Sequence, residues 1–375
     1  MNALIQKEFA HLEPGYFNAA YMGPTPQRAV DAGKKSLERT ANPVRMAYEE
    51  WTLLPTQLRK SLARLLRTKP QNIAHFSSAA DLFSLIAWTY PWKPKDHVIF
   101  MDDEYPSLTL PFYQVKERYG LEITALSREH FRNPALLLQA IPPSAKVVVM
   151  SHAAFNSGEV FPVEKIGQAL KERNIFFAVD GTQNLGGRRA PDPLETVCDV
   201  YGASTYKWLL GAYGHAFAFL SEQAQNTLTP FHIHWMNTQG FQDRHALSTH
   251  DFSAHSGAHR FDRGQAANTL GSRVLLASLS LMEEIGLEKI EQHNRELLGS
   301  FLENLDTTRF CPLAPLETLH HFLAMEIKKG NSEDLQKTLL QKGFDVSVRR
   351  GNLRISFHLF NSKEKTRELL AALHS

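Results

Sequence analysis

The sequence contains few cysteines, no long run of like charge and no apolar run long enough to span a bilayer. Its two cysteines, Cys198 and Cys311, do not have the C-x-x-C spacing of zinc or redox sites and give no basis for a disulfide framework. The first residues do not have the sustained apolar core of a secretory signal. We therefore expect a soluble protein of the reducing cytosol.

The charges of the chain are nearly balanced. Its 41 basic and 39 acidic residues give a formal net charge of +2, which is no reason to expect a nucleic-acid or membrane partner. Charged residues make up 21% and hydrophobic residues 43%, a globular composition. Because 375 residues exceed the usual size of one domain, we expect a large domain and a smaller one that share a cleft.

Three short β-rich runs each end in polar residues, at positions 98–101, 147–150 and 176–179. Continuous apolar runs are typical of parallel strands covered on both faces, and parallel sheets collect site residues at their carboxyl ends. Residues 163–170, which follow Pro162, have apolar positions three and four apart and predict a helix between two such strands. This alternation of strands and helices predicts a mostly parallel sheet flanked by helices.

The C-terminal part has a different pattern. A helix is predicted around residues 272–284, followed by alternating apolar positions at 321–327 and a helix that opens near Ser332. We therefore predict an α/β protein whose large domain spans residues 16–260. Residues 1–15 and 261–375 would form a smaller α+β domain.

Asp180 ends one predicted strand, and Lys207 follows a turn of small residues. Burial of a lysine lowers its pKa from about 10.4 and leaves a neutral amine that can form a Schiff base. A carboxylate paired with a pyridine nitrogen keeps that nitrogen protonated, so that the ring can accept electrons. Either residue alone is more simply a surface lysine or a helix-capping aspartate, but the two together predict pyridoxal phosphate chemistry.

Ordered motifs run through nearly the whole chain, at residues 16–20, 23–26, 180–183, 199, 204–207, 261–265, 353–358 and 360–361. They resemble the motifs of the class V aminotransferase family. These enzymes use pyridoxal 5′-phosphate and have the fold called type I, and they include cysteine desulfurases, kynureninase and isopenicillin-N epimerase-like proteins. The resemblance implies this fold, this cofactor and a homodimer with its sites at the interface.

The resemblance also implies a role for individual residues. Lys207 would form the Schiff base and move the proton, Asp180 would pair with the pyridine nitrogen, and Gln183 would bond the ring hydroxyl. Arg354 would bind the substrate carboxylate, because a guanidinium offers a planar fork that matches this group. The other implied cofactor-binding residues are Ser78 and Ala79 at a helix start, Tyr105 against the ring, Ser204, Tyr206, and Gln265 from the second copy.

Several positions depart from the family pattern. Tyr105 replaces a stacking histidine, and Phe155 replaces an asparagine. Residues 343–352, just before Arg354, contain no cysteine, so we expect that this is not a thiolate-dependent cysteine desulfurase. We predict an aminotransferase that acts on an amino acid. The alternatives are a lyase that cleaves carbon–sulfur or kynurenine-like bonds, an epimerase, and a catalytically silent cofactor-binding scaffold.

Six histidines crowd the stretch between residues 232 and 259: His232, His234, His245, His250, His255 and His259. A metal site there has little support, because no carboxylate cluster accompanies the histidines. We therefore predict no metal. We expect this polar and aromatic segment to form a mobile rim over the cleft that helps to select the substrate.

Overall fold

A computed structural model describes residues 2–47, 50–241, 253–264 and 268–374. The larger sheet contains seven strands, which are β1 (Ile73–Phe76), β2 (His97–Met101), β3 (Glu122–Leu126), β4 (Ala145–Ser151), β5 (Phe176–Asp180), β6 (Val200–Ser204) and β7 (Ala216–Leu220). They lie in the order β1-β7-β6-β5-β4-β2-β3. Strands β2 to β6 pair in parallel, and β7 runs antiparallel to β1 and β6. The predicted mostly parallel sheet is confirmed.

Both faces of this sheet are covered by apolar side chains. Phe176 packs into the core on one face and its neighbour Phe177 into the core on the other, because successive strand residues point to opposite sides. Val147 and Val148 divide between the two cores in the same way. This double burial is the reason that the strands are continuous apolar runs rather than alternating ones.

The helices flank the two sheets. They are α1 (Asn2–Glu8), α2 (Gln27–Ala41), α3 (Glu50–Leu66), α4 (Ala79–Thr89), α5 (Pro106–Tyr119), α6 (Arg128–Arg132), α7 (Pro134–Ala140), α8 (Val163–Lys171), α9 (Leu194–Val197), α10 (Glu222–Thr227), α11 (Thr269–Ile285), α12 (Leu287–Glu303), α13 (Ser332–Gln341) and α14 (Lys363–His374). The helices predicted at residues 163–170, at 272–284 and near Ser332 correspond to α8, α11 and α13.

A second, antiparallel sheet is built from β8 (Phe310–Pro312), β9 (Phe322–Ile327), β10 (Ser347–Arg349) and β11 (Asn352–Ser356), in the order β10-β11-β9-β8. The predicted alternation in β9 is wrong, because residues 322–325 are all buried. Leu323 and Met325 face the core of the small sheet, whereas the ring of Phe322 lies 5.7 Å from that of Trp208 in the turn after β6. Both faces of β9 are therefore covered.

The segment of residues 16–23 joins the small sheet to the turn that follows β6. The N–H of Phe17 donates to the carbonyl of Asp345 at 2.9 Å, and its carbonyl accepts from the N–H of Ser356 at 2.9 Å. Farther along the segment, the N–H of Gly23 donates to the carbonyl of Tyr206 at 2.8 Å. The N-terminal segment thus contacts the C-terminal strands and the lysine turn at the same time.

The helices near the predicted domain boundary pack in different cores. Leu275 and Leu279 of α11 belong to a core of the large sheet, whereas Leu297 and Phe301 of α12 pack with the small sheet. The division at residues 15 and 260 stays a prediction. No helix in the described ranges is both long and apolar enough to cross a lipid bilayer.

Candidate functional site

A cavity of about 260 Å³ lies where β4, β5 and β6 end. Parallel strands bring their carboxyl ends to one edge of a sheet, and Ser151, Asp180 and Ser204 meet there for this reason. The walls include most of the predicted site residues, namely Ser78, Ala79, Tyr105, Asp180, Gln183, Ser204, Tyr206 and Lys207. They also include Ser151, Thr182 and His215, which had no predicted role.

Lys207 is 8% exposed, in the turn that follows β6. In the described part of the chain its Nζ has no hydrogen bond, and it lies 5.5 Å from the ring centroid of Tyr206 and 5.7 Å from that of Tyr105. Burial first, and then the Arg354 guanidinium, lower the pKa of the Lys207 amine to about 8 against the opposing effect of Asp180. A substantial fraction of the amine is thus neutral near pH 8.

The lysine turn is closely packed against the N-terminal segment. A Cβ added to Gly23 would lie 1.9 Å from the carbonyl oxygen of Lys207, so only glycine fits at this position. On the other side of the turn, the hydroxyl of Thr205 donates to the carbonyl of His215 at 3.0 Å. These contacts hold the turn in one position and direct the lysine side chain into the cavity.

The carboxylate of Asp180 is buried, and its Oδ1 accepts a hydrogen bond from the N–H of Thr182 at 2.9 Å. Burial raises the pKa of Asp180, although hydrogen bonds from Thr182 and the charge of Lys207 oppose the rise. The hydroxyl of Thr182 also accepts from the N–H of Ser204 at 2.9 Å, which links the ends of β5 and β6. A cationic group placed against Asp180 would therefore be favoured electrostatically.

Glu104 organises another wall of the cavity. Its buried carboxylate accepts hydrogen bonds from the N–H of Ser151 at 2.7 Å, the hydroxyl of Ser151 at 2.6 Å and the N–H of Tyr105 at 2.7 Å. Burial raises the pKa of Glu104 to about 7. The Tyr105 ring lies 5.1 Å from that of Phe155 in an edge contact. Glu104 follows β2, so the rule that site residues follow parallel strands could have identified it.

The start of α4 faces the end of β6. Ser78 caps the helix, because its Oγ accepts from the N–H of Asp81 at 3.1 Å, and the helix begins at Ala79. The N–H of Ala79 donates to Ser204 Oγ at 3.2 Å. Asp81 forms an ion pair with Arg263, which offsets its negative charge at the helix start. The helix start therefore remains suited to an anion.

Gln183 and Tyr206 complete the walls. The Gln183 amide donates to the carbonyl of Ala20 at 3.0 Å and accepts from Nε1 of Trp208 at 2.9 Å, so one of its N–H groups is left for a ligand. The Tyr206 ring lies 4.7 Å from that of Tyr213. Burial raises the pKa of Tyr206 to about 12, so its hydroxyl stays a neutral donor.

Arg354 is 2% exposed and does not itself line the cavity, but it donates to a residue that does. Its Nη1 donates to the carbonyl of Phe155 at 2.8 Å, and its Nε to Ser347 Oγ at 3.1 Å. Nη2 is buried and has no hydrogen-bond partner among the described residues. Burial first, and then the Arg349 charge, lower the pKa of Arg354 to about 9. Nη2 of the guanidinium is thus available to donate a hydrogen bond to a ligand.

An ion pair that the sequence did not predict joins α3 to β1, the strand that precedes α4. Asp262 is fully buried, with Oδ2 at 2.6 Å from Nη2 of Arg59 in α3 and Oδ1 accepting from the N–H of His75 at 2.9 Å. Asp262 belongs to one of the family-like motifs, but no local pattern points to Arg59. The two residues are 203 positions apart in the chain.

The described histidines of the segment 232–259 are not among the cavity walls. His232 Nε2 contacts Arg263, and His234 Nε2 lies 3.1 Å from the carbonyl oxygen of Asp262. Both histidines therefore contact the segment that carries the buried aspartate. A role of this segment in substrate selection stays a prediction.

Two of these histidines, His245 and His250, lie outside the described residues, and so does Gln265. Within the described ranges, no group of three or more His, Cys, Asp and Glu side chains could hold a metal ion. The contact of Gln265 with the cofactor stays a prediction.

Known proteins resemble the chain over most of its length. It is 26% identical to isopenicillin N epimerase of Streptomyces clavuligerus over 58% of this chain and 56% of that one, so the match spans little more than half of the relative. It is 22% identical to a probable cysteine desulfurase of Pyrococcus abyssi over 96% and 93% of the two chains. A structure of the cystine C–S lyase C-DES with glycine covalently linked to its PLP cofactor is 18% identical, with a TM-score of 0.89 over 98% of each chain.

The sequence model of the family described as Aminotransferase class-V matches residues 16–369. This family and the PLP-linked neighbour indicate pyridoxal 5′-phosphate as the cofactor, as predicted from Asp180 and Lys207. The fold agrees with that assignment, because the C-DES structure matches it over 98% of both chains. The chain belongs to the aminotransferase class-V family.

Proposed function

We propose that this protein is a pyridoxal phosphate-dependent aminotransferase that acts on an amino acid. The observation that carries the proposal is the buried amine of Lys207, which shares one cavity with the buried carboxylate of Asp180. An amine whose pKa is lowered to about 8 is a nucleophile near neutral pH. Transamination is the simplest of the open reactions, because it needs no further catalytic side chain.

The residues present fit the cofactor. Lys207 would bind it covalently, Asp180 would hold its pyridine nitrogen, and Gln183 would donate its remaining N–H to the ring hydroxyl. Tyr105 would stack on the ring, and the phosphate would lie between the start of α4 and the end of β6, against Ser78, Ala79, Ser204 and Tyr206. When bound, the cofactor withdraws electrons from the bond that is broken at the substrate Cα.

The remaining steps belong to side chains of this chain. The donor that Arg354 has to spare would bind the α-carboxylate of the amino acid and fix its orientation. Lys207 Nζ would act as a general base that takes the proton from the substrate Cα, and as a general acid that later gives this proton back. Tyr105 and Phe155 would keep water from that carbon.

We further propose a homodimer whose active sites lie at the subunit interface. Gln265 of one copy would reach the cofactor phosphate of the other, and the support for this is the match of residues 261–265 to a family motif. Cys198 and Cys311 are free thiols, which agrees with a reducing cytosol.

A lyase or an epimerase is the second candidate function. Relatives described as isopenicillin N epimerase and as a cystine C–S lyase support it. Both reactions begin with the same loss of a bond at Cα and need the same lysine. A catalytically silent scaffold fits the site less well, because it would not need a buried guanidinium with a spare donor.

We propose that no protein persulfide forms, although relatives described as probable cysteine desulfurases match nearly the whole chain. A persulfide needs a thiolate near the substrate, and residues 343–352 contain no cysteine. Cys198 is buried, and burial raises the pKa of its thiol. Cys311 lies in β8, at the opposite edge of the small sheet from β10.

The test is to incubate the cofactor-loaded protein with a panel of amino acids in heavy water, and to follow the visible spectrum and the products together. A keto acid, formed as the cofactor takes up the amino group, indicates transamination. Pyruvate with ammonia indicates elimination, and deuterium at Cα alone indicates epimerisation. Full turnover by Lys207→Ala would overturn the whole proposal. Sulfur from cysteine on Cys311, absent in Cys311→Ser by mass spectrometry, would overturn the exclusion of a persulfide.

A further inference from the structure

The hairpin of β10 and β11 places a second arginine on the same face as Arg354. Ser347 pairs with Arg354 across the hairpin, and Arg349 pairs with Asn352. Side chains alternate along a strand, so Ser347 and Arg349, two positions apart, point to the same side of the sheet. The hydrogen bond from Arg354 Nε to Ser347 Oγ shows that this side carries the guanidinium of Arg354.

The guanidinium of Arg349 lies against the N-terminal segment. Its Cζ is 5.6 Å from the ring centroid of Tyr21, and that segment contacts the cavity because Gln183 donates to the carbonyl of Ala20. Arg349 is also close enough to the site that its charge lowers the pKa of both Arg354 and Lys207.

The positive charges of this region have no matching carboxylates. Among the described residues, neither Arg349 nor Arg354 forms an ion pair. The carboxylates that lie nearby bind other groups: Asp103 pairs with Arg128, and Asp345 accepts from Asn18 at 3.1 Å. Two like charges held together without anions are unfavourable, and an incoming ligand that carries two anionic groups relieves both of them.

We infer that the substrate is an α-amino acid whose side chain ends in a second anionic group, with its α-carboxylate on Arg354 and its distal anion on Arg349. The inference rests on the proposed function and adds the class of substrate to it. A neutral side chain would leave Arg349 without an anion.

The experiment compares acidic amino acids with neutral counterparts of similar shape: aspartate with asparagine, glutamate with glutamine, and cysteine sulfinate with cysteine. Wild-type protein is expected to prefer the acidic member of each pair in kcat/KM. Arg349→Gln is expected to lower kcat/KM for the acidic members by about 10- to 100-fold, chiefly through KM, and so to remove the preference for the acidic member of each pair. Lys337→Gln, which removes one exposed charge from the same part of the chain, is the matched control.

A binding measurement without turnover gives a second readout. By calorimetry, glutarate is expected to bind the cofactor-loaded wild type about 10-fold or more tightly than its monoamide, and Arg349→Gln is expected to abolish this difference. Equal use of acidic and neutral amino acids by the wild type would overturn the inference and leave the proposed function intact. A drop in kcat/KM for the acidic amino acids in Arg350→Gln, but not in Arg349→Gln, would also overturn the inference, because Arg350 contacts Phe155 rather than Tyr21. Failure of every amino acid to react would overturn both this inference and the proposed function.

Discussion

Single residues of the site carry like charges in close proximity. Lys207 and Arg354 are both buried, and the guanidinium helps to lower the pKa of the amine. The arrangement keeps the amine partly neutral before any ligand binds. A substrate carboxylate bound to Arg354 would offset the charge of the guanidinium, and the pKa of the Lys207 amine would rise as a result.

The first prediction concerns the pH dependence of cofactor loading. The rate at which pyridoxal phosphate binds to the cofactor-free protein should rise as the pH increases through about 8, because only the neutral Lys207 amine is a nucleophile. Arg354→Gln removes a positive neighbour and should move the midpoint to higher pH. Stopped-flow absorbance measures the rate, with Lys337→Gln as the control, and an unmoved midpoint in Arg354→Gln would contradict the electrostatic account.

At the scale of elements, the position of the lysine turn depends on the close packing of its backbone against the backbone at Gly23. Gly23→Ala would put a methyl group 1.9 Å from the carbonyl oxygen of Lys207 and displace the turn. We expect most of the visible absorbance of bound cofactor to disappear while the circular dichroism of the fold is kept. Gly299→Ala in α12 is the control, because a Cβ there meets nothing within 4 Å and should stabilise the helix by roughly 0.5–1 kcal/mol. Normal loading of Gly23→Ala would refute this account.

The ion pair of Arg59 and Asp262 joins α3 to the start of the large sheet. Burial alone would raise the pKa of Asp262, but Arg59, His75 and His259 outweigh it and hold the pKa below its usual value. The stabilisation is therefore present above the unfolded pKa of about 3.9 and is lost as the pH falls through the folded pKa.

Asp262→Asn should lower the free energy of unfolding by about 3–5 kcal/mol at pH 7, because it leaves a buried guanidinium without its charge partner. Urea unfolding measures the loss, and the gap between variant and wild type should narrow in acid. Asp334→Asn removes an ion pair whose side chains are 74% exposed and should change the free energy by less than about 0.5 kcal/mol. Similar losses of unfolding free energy in the two variants would show that the buried ion pair contributes no more stability than the exposed one.

At the scale of the whole molecule, the proposed dimer makes each active site from two chains. The Lys207→Ala and Gln265→Ala variants should each show reduced turnover when assayed alone. When the two variants are mixed and allowed to form dimers, one site of each mixed dimer regains both an intact Lys207 and an intact Gln265. We expect turnover to recover toward half that of the wild type per mixed dimer. No recovery, with mixed dimers confirmed by mass spectrometry, would mean that Gln265 serves its own chain.

The sheet and the residues at its carboxyl edge could be predicted because both follow from local patterns. Strand β5 with Asp180, and the turn with Lys207, are each contained in a few consecutive residues. Contacts between distant segments could not be predicted in this way. Arg59 and Asp262 are 203 residues apart, and Arg354 and Phe155 are 199 apart. The full burial of β9 likewise depends on what lies on both of its faces, which its own residues do not specify.

The hydrogen bonds of residues 16–23 also determine when the site can be completed. This segment is synthesised well before its partners Asp345 and Ser356, since Ser356 follows Phe17 by 339 residues. Gly23, which packs on the carbonyl of Lys207, is held by the same segment. The lysine turn therefore acquires its final packing only after strands β10 and β11 have been synthesised, and we expect the cofactor to be captured after that point rather than as soon as Lys207 itself has been made.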